Sequence, residues 1–369
     1  MNNFSKAFII AEAGVNHNGD IDIAKSLIDT AKDAGADAVK FQTFKADALV
    51  TQDTPKAQYQ ATNTGADDGQ YNMLKRLELS DVQHLELAEY CKEKAIAFMS
   101  TAFDVDSLRF LEQFDQPFIK IPSGEIRNAL LLWHSVKAGK PLIISTGMAT
   151  LGDIEFALNF VNFALHHDSP PSTMECIMRY RAECLSGLHA NGNDKSLSNL
   201  VTLLHCTSEY PTPIEQVNLR AMQQLSSTFG VNVGYSDHTL SLSVPCAAVS
   251  LGASCIEKHF TLSREMDGPD HRSSLEPEEL KLMVSMIREC ERSLGHAIKF
   301  PQPNEFDTQK IARQKLVAKK QIKAGERLTE DNVATARSPS GMCASLYWEV
   351  LGQKSSCDVE IMSPICISQ

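Results

Sequence analysis

The sequence lacks the features that mark several large classes of protein. No stretch reaches the roughly 18 consecutive apolar residues of a membrane-spanning helix, so none is expected. The opening residues, MNNFSKAFIIAEAG, carry one lysine and run straight into an apolar, strand-like segment. A secretory signal needs a longer apolar stretch and a cleavage site, so none is expected either. Basic charge is short as well: the formal net charge is -11, and a nucleic-acid backbone calls for the opposite sign. An anionic small molecule is not excluded, because a few local lysines suffice to hold one. The ten cysteines form no CxxC pair and no regular spacing, which argues against a structural zinc. Cys206, Cys246 and Cys255 lie inside apolar runs, where a small buried thiol is the common reading. A reducing, cytoplasmic setting is expected.

What is present supports a sizeable core. The chain has 369 residues, 43% apolar and 22% charged, enough for one large domain and a small one. Short β-rich apolar runs at 7–14, 36–44, 96–103, 117–124, 141–147, 199–208, 231–237 and 253–260 are each followed by helical periodicity. In IDIAKSLIDTAKDAG (21–35), Ile21, Ala24, Leu27, Ile28 and Ala31 share one face and Gly35 suits the C-terminal cap. Further helices are expected at 151–165 and at 276–295, the latter opened by Pro277. Near-continuous apolar strands imply burial on both faces, as in a parallel sheet covered by helices. Eight strand–helix units within residues 1–295 predict a closed (β/α)8 TIM barrel. The alternative, a doubly wound open sheet, predicts a glycine-rich first turn; here that turn reads GVNHNGD, without GxGxxG spacing.

Two segments break the rhythm. Residues 45–79 follow the second strand, on the side where barrel active sites lie. The insertion at 166–198 sits in a helix-to-strand connection, on the opposite face, and is expected to be remote from chemistry despite its histidines and cysteines. After Gly295, residues 296–309 look like a linker, with two prolines and no clear period. Residues 310–369 form a small β-rich module that is expected to dock on the barrel or on a partner subunit, since so short a unit buries little core alone.

The polar residues gather where the strands end: Glu12; Lys40 and Gln42; Ser100 and Thr101; Lys120, Ser123 and Glu125; Ser145 and Thr146; His205 and Ser208; Ser236, Asp237 and His238; Glu257, Lys258 and His259. In a barrel these ends meet at one mouth. Lys40 and Lys120 stand in apolar strands, where a buried ammonium requires an anion. That anion is either a phosphate or carboxylate ligand or a barrel carboxylate such as Glu12 or Glu257. His238 and His259 end neighbouring strands; with Asp237 and Glu257 close by they suit one divalent ion with open positions. His17 is a weaker candidate that also suits capping the helix after it. The acidic loop EMDGPDHRSS (265–274) is either a solvated run or, over the mouth, a source of sugar ligands through Asp270.

The motifs AEAGVNHNGD, DAVKFQTF, FMSTAFD, IKIPSGE, ISTGM, LLHCTSEYPTP, VGYSDHT, EKHFT and DGPDHRSS, in this order, closely resemble the sialic acid (N-acetylneuraminate) synthases. The C-terminal module resembles their SAF, or antifreeze-like, domain. The resemblance implies a transferase that condenses phosphoenolpyruvate with N-acetylmannosamine and water, giving N-acetylneuraminate and phosphate. It implies His238 and His259 as ligands of Mn2+ or Mg2+. Lys40, Thr101, Lys120, Ser123, Ser145, Ser208 and Ser236 would hold phosphoenolpyruvate; many relatives have asparagine at the position of Ser208. Glu12, Gln42, Asn63, Tyr210 and Asp270 would bind the sugar, and Glu125 would handle protons. It also implies a domain-swapped homodimer in which Arg337 reaches the partner subunit's site.

A sister enzyme making legionaminate would use the same machinery on 2,4-diacetamido-2,4,6-trideoxymannose. The opening AEAGVNHNG fits the sialic or legionaminic branch better than the pseudaminic one. Two readings of other kinds remain: a Schiff-base aldolase, which also needs a barrel lysine but no metal, and a non-catalytic sugar-binding homologue.

Overall fold

Eight short strands, buried along nearly their whole length, form one parallel sheet. They are β1 (Phe8–Gly14), β2 (Ala38–Thr43), β3 (Ala97–Ala102), β4 (Ile119–Ile121), β5 (Leu142–Ser145), β6 (Val201–His205), β7 (Asn232–Asp237) and β8 (Cys255–His259). Their order is β3-β2-β1-β8-β7-β6-β5-β4, and β3 lies against β4 to close the barrel. The computed structural model describes residues 6–65, 69–185 and 197–368. The chain divides into two compact units, Met1–Gly295 and His296–Gln369.

Each strand alternates between the barrel interior and the helical jacket. Ile9, Ala11, Val39, Phe41, Phe98, Ile119, Ile144, Leu203, Val233 and Ile256 point outward into the main core. Ile10, Ala38, Met99, Ile143, Leu204 and Cys255 point inward and, with Phe8, Ala97 and Phe118, plug the lower barrel. Gly234 belongs to this crowded interior: a Cβ there would come within 2.5 Å of the Cys255 carbonyl oxygen and 2.6 Å of Leu204. One step of two residues up from the plug, the inward positions become Glu12, Lys40, Thr101, Lys120, Ser145, Cys206, Ser236 and Glu257. The apolar layer is thus the floor on which a polar layer stands.

The helices follow from local chemistry. Ile21–Ala34 is opened by Asp20, whose side chain accepts from the Asp22 and Ile23 amides, and closed by Gly35 at φ 82; an N-cap of this kind contributes roughly 1 kcal/mol. The helix Pro277–Leu294 has Pro277 in its first turn, where no amide hydrogen is required. Residues 45–79 carry three short helices, Ala46–Leu49, Gln58–Thr64 and Gln70–Leu77. Apolar residues of the first and third of these, Ala46, Leu49, Met73, Leu74 and Leu77, join Val15 and Phe44 in a satellite core above the barrel. In the 166–198 insertion, the helix Met174–Leu185 packs through Ile177 and Tyr180 onto Leu151–His166. Residues 186–196 of that insertion, with His189, lie outside the described residues.

In the second unit, β9 (Gln314–Ala318) pairs antiparallel with β10 (Val333–Arg337). Isolated bridges and a core of Leu316, Ile322, Leu328, Val333, Val350, Val359 and Ile365 complete it. Two features depart from the sequence reading. A helix, Glu305–Ala312, begins inside the stretch read as a linker; with Phe306 and Ile311 as its bulky apolar residues, it shows no helical period. Cys357 and Cys366 form a disulfide, a pairing that the reducing setting read from the sequence does not anticipate. Their segments run antiparallel through the Ser355–Ile367 bridge, a proximity that spacing alone does not reveal.

Candidate active site

The polar layer opens into a cavity of about 470 Å³, within the range of small-molecule sites. Strand ends supply its floor: Glu12, Lys40, Gln42, Thr101, Lys120, Ser145, Cys206, Ser236, Glu257 and His259. The loops beyond them add Ser123, Glu125, Ser208, Tyr210, His238 and Asp270. Lys40 donates to Thr101 Oγ1 at 2.8 Å and Lys120 to Ser145 Oγ at 2.7 Å. Gly147 draws Ser123 and Ser208 together: its amide donates to Ser123 Oγ at 3.0 Å, and a Cβ there would collide with both hydroxyls.

Two ammonium groups and two carboxylates balance one another in this floor. Lys40 is ion-paired with Glu12 and lies 3.5 Å from Glu257; Lys120 lies 3.6 Å from the other oxygen of Glu257. Burial opposes the charge on Glu257, yet Lys120 and Lys40 overcome it and hold the carboxyl well below its usual range, helped by the Ser236 hydroxyl at 2.7 Å. Glu12 is the weaker acid, pushed up to about 7 chiefly by burial. Burial lowers Lys120, while Glu12 and Glu257 outweigh burial at Lys40 and raise it. Burial also lifts Asp270 to about 6. The barrel carboxylates are therefore real partners of the lysines, and the hydroxyls around the ammonium groups are those an incoming anion would meet.

His238 and His259 face one another with ring centroids 5.7 Å apart. His238 Nδ1 lies 2.6 Å from the Thr207 carbonyl oxygen. A carbonyl accepts, so Nδ1 carries the hydrogen and Nε2 keeps its lone pair. His259 Nδ1 is buried with no hydrogen-bond partner among the described residues. Burial lowers the pKa of both rings, that of His259 well below 6.5 with help from His238. Two neutral imidazoles, one lone pair fixed by its tautomer, fit a divalent cation that takes its other ligands from water or substrate. Among the described residues no group of three or more His, Cys, Asp or Glu is arranged to hold a metal.

Asp237 does not join the histidines. It pairs with Lys258 at 2.6 Å, both fully buried, and accepts from the Thr239 amide. Asp237 and Lys258 occupy the intervening positions, between Ser236 and His238 and between Glu257 and His259, so strand parity turns them to the outer face.

Two family models match: the NeuB family over residues 27–299 and the SAF domain over 313–365. The chain belongs to the NeuB family. It is 45% identical to the N,N'-diacetyllegionaminic acid synthase of Campylobacter jejuni, over 94% of this chain and 95% of that one. The enzyme of the same description from Legionella pneumophila is 42% identical, over 95% and 90%. A crystal structure of the N-acetylneuraminic acid (sialic acid) synthetase of Leptospira borgpetersenii, in complex with citrate, superposes with a TM-score of 0.65 at 32% identity, covering 83% of this chain and 90% of that one. This NeuB-family member is a sugar-acid synthase, a carbon–carbon bond-forming transferase.

Of the barrel residues that the resemblance assigns to substrate or metal in this NeuB-family chain, all line the cavity except Asn63. Asn63 donates to the Pro269 carbonyl oxygen at 2.7 Å, tying the helix Gln58–Thr64 to the acidic loop rather than facing a ligand. Arg337 is exposed at the end of β10, opposite Gln314. His17 accepts from the Gly19 amide and does not line the cavity; Asp20 caps the helix instead. His205 is bonded to the Val217 carbonyl oxygen at 2.8 Å. Sequence reasoning missed Tyr59, whose ring stacks on Tyr210 at 4.9 Å, while Tyr210 covers His238 at 4.1 Å. It also missed Cys206, 3.3 Å from Ser123 Oγ. The one available signal for Tyr59 was the AQYQ run within the long segment over the mouth.

Proposed function

We propose that this chain is an N,N'-diacetyllegionaminate synthase, joining phosphoenolpyruvate to 2,4-diacetamido-2,4,6-trideoxymannose with uptake of water and release of phosphate. The expectation of N-acetylmannosamine gives way to the alternative. The carrying observation is the identity of 45% and 42% to two N,N'-diacetyllegionaminic acid synthases, against 32% to the N-acetylneuraminic acid synthetase.

In this reading the lysine floor takes the donor. Phosphoenolpyruvate places its phosphate and carboxylate against Lys40, Lys120 and the hydroxyls of Thr101, Ser123, Ser145, Ser208 and Ser236. Buried cations aimed at these groups need no reorganisation during the reaction. His238 and His259 hold the divalent cation, Mn2+ or Mg2+, which when bound supplies Lewis-acid polarisation of the sugar aldehyde. Tyr210 walls the histidine pair, and Asp270, Gln42 and Glu12 bind the sugar. Carbon 3 of phosphoenolpyruvate forms the new bond to the aldehyde carbon, whose oxygen takes up a proton. Water adds at carbon 2, giving up its proton to Glu125, which is placed on the cavity wall by a 2.6 Å bond from Asn128. The tetrahedral centre then expels inorganic phosphate by carbon–oxygen cleavage. The enzyme works in the cytosol as a homodimer, with Arg337 of one protomer serving the site of its partner.

Phosphate release from phosphoenolpyruvate with Mn2+ present, with each sugar alone and with or without chelator, tests this reading. Chelator-sensitive release with the diacetamido sugar is expected. No phosphate release under any of these conditions, accompanied by borohydride trapping of a pyruvate–lysine imine, would establish the aldolase reading instead.

A further inference from the structure

The cavity is not polar all round. One wall is built by Val15, Leu49, Val50, Met73, Leu77 and Phe103. Met73 and Leu77 are buried in the satellite core with Val15, and Leu49, Val50 and Phe103 pack against it. The wall is therefore fixed by its own packing. Its polar neighbours are engaged with one another: Gln60 accepts from the Ala57 amide and from Gln70 Nε2, and its own amide reaches the Tyr59 hydroxyl. The lysines, histidines and hydroxyls all belong to the strand-end floor, so floor and wall offer different chemistry to one ligand.

A sugar whose aldehyde meets the histidine pair extends its far carbons away from the charged floor. We infer that the apolar wall receives the carbon-6 methyl of the deoxygenated sugar, and that it is the element selecting a 6-deoxy amino sugar over a 6-hydroxy one. The inference rests on the synthase reading and adds the part of the site that reads the tail. A methyl there loses no hydrogen bond on leaving water, whereas a hydroxyl surrounded by Val, Leu, Met and Phe finds no partner. Discrimination of this kind is worth roughly tenfold to a hundredfold in kcat/KM.

The test compares 2-acetamido-2,6-dideoxymannose with N-acetylmannosamine, which differ in one oxygen, using 2,4-diacetamido-2,4,6-trideoxymannose as the reference sugar. The wild-type enzyme should favour the 6-deoxy sugar about tenfold or more. Val50→Thr adds a hydroxyl without changing volume, and Leu49→Gln adds an amide. Both sites are half-buried, so folding is not at risk. Each variant should cut the 6-deoxy preference at least about fivefold, while KM for phosphoenolpyruvate stays within about twofold of wild type. If the wild-type enzyme uses the reference sugar yet the variants leave the 6-deoxy preference unchanged, the wall is not the reader and the inference falls while the synthase reading stands. If the wild-type enzyme turns over N-acetylmannosamine and rejects the reference sugar, the substrate reading itself is wrong.

Discussion

Replacing Glu257 with glutamine removes the charge that both buried lysines share. At separations of 3.5 and 3.6 Å and an effective dielectric of about 20, each pair is worth roughly 5 kcal/mol of attraction. Desolvation of the carboxylate takes back several kcal/mol. Breaking such a buried arrangement costs about 3–5 kcal/mol net, or a fall of roughly 6–10 °C in melting temperature for a domain of this size. Lys120 offers a partial escape, because burial already lowers its pKa. Shedding its proton relieves the repulsion, so the loss should shrink as pH rises toward the ordinary lysine range. Phosphoenolpyruvate should offset the loss too, by supplying the missing negative charge. Differential scanning fluorimetry with and without phosphoenolpyruvate reads both effects: the variant melts lower when empty and gains more than wild type on adding the ligand. An unchanged melting point, or a smaller ligand-induced gain than wild type, would refute the charge-balance argument.

Lys120→Met should lower kcat/KM for phosphoenolpyruvate by about 2–4 kcal/mol, thirtyfold to a thousandfold, by steady-state kinetics; if Lys120 serves the barrel alone, the kinetics should stay near wild type. Glu125→Gln should reduce kcat about a hundredfold or more with KM within about threefold, and equal damage to both would remove the proton-handling role. His17, held down to about 3 chiefly by burial, makes stability fall as pH drops below about 6.5, because the unfolded chain takes up the proton first. Its share of that loss at pH 5 is about 2 kcal/mol, so urea midpoints at pH 7.5 and 5 should differ less in His17→Asn than in wild type.

The eight strands were legible because a parallel barrel buries both faces of each strand, leaving apolar runs that end in polar residues. The floor was legible for the same reason: Lys40, Lys120 and Glu257 are conspicuous exceptions in buried strands. Parity was the part misread. Asp237 stands beside His238 in sequence but faces the other way in the sheet, where Lys258 meets it. The wall over the mouth was not legible, since its three helices are too short for a clear period and their apolar residues line a cavity rather than the main core. Nor was the pairing of Cys357 with Cys366, which depends on the fold of the small unit.

The most direct test of the central claim is one competition. Equal concentrations of 2,4-diacetamido-2,4,6-trideoxymannose and N-acetylmannosamine are given to the Mn2+-loaded full chain with limiting phosphoenolpyruvate, and the products are weighed by mass spectrometry. The account predicts N,N'-diacetyllegionaminate as the dominant product, with one phosphate released for each molecule formed. Dominant N-acetylneuraminate, or phosphate release without either product, would contradict it.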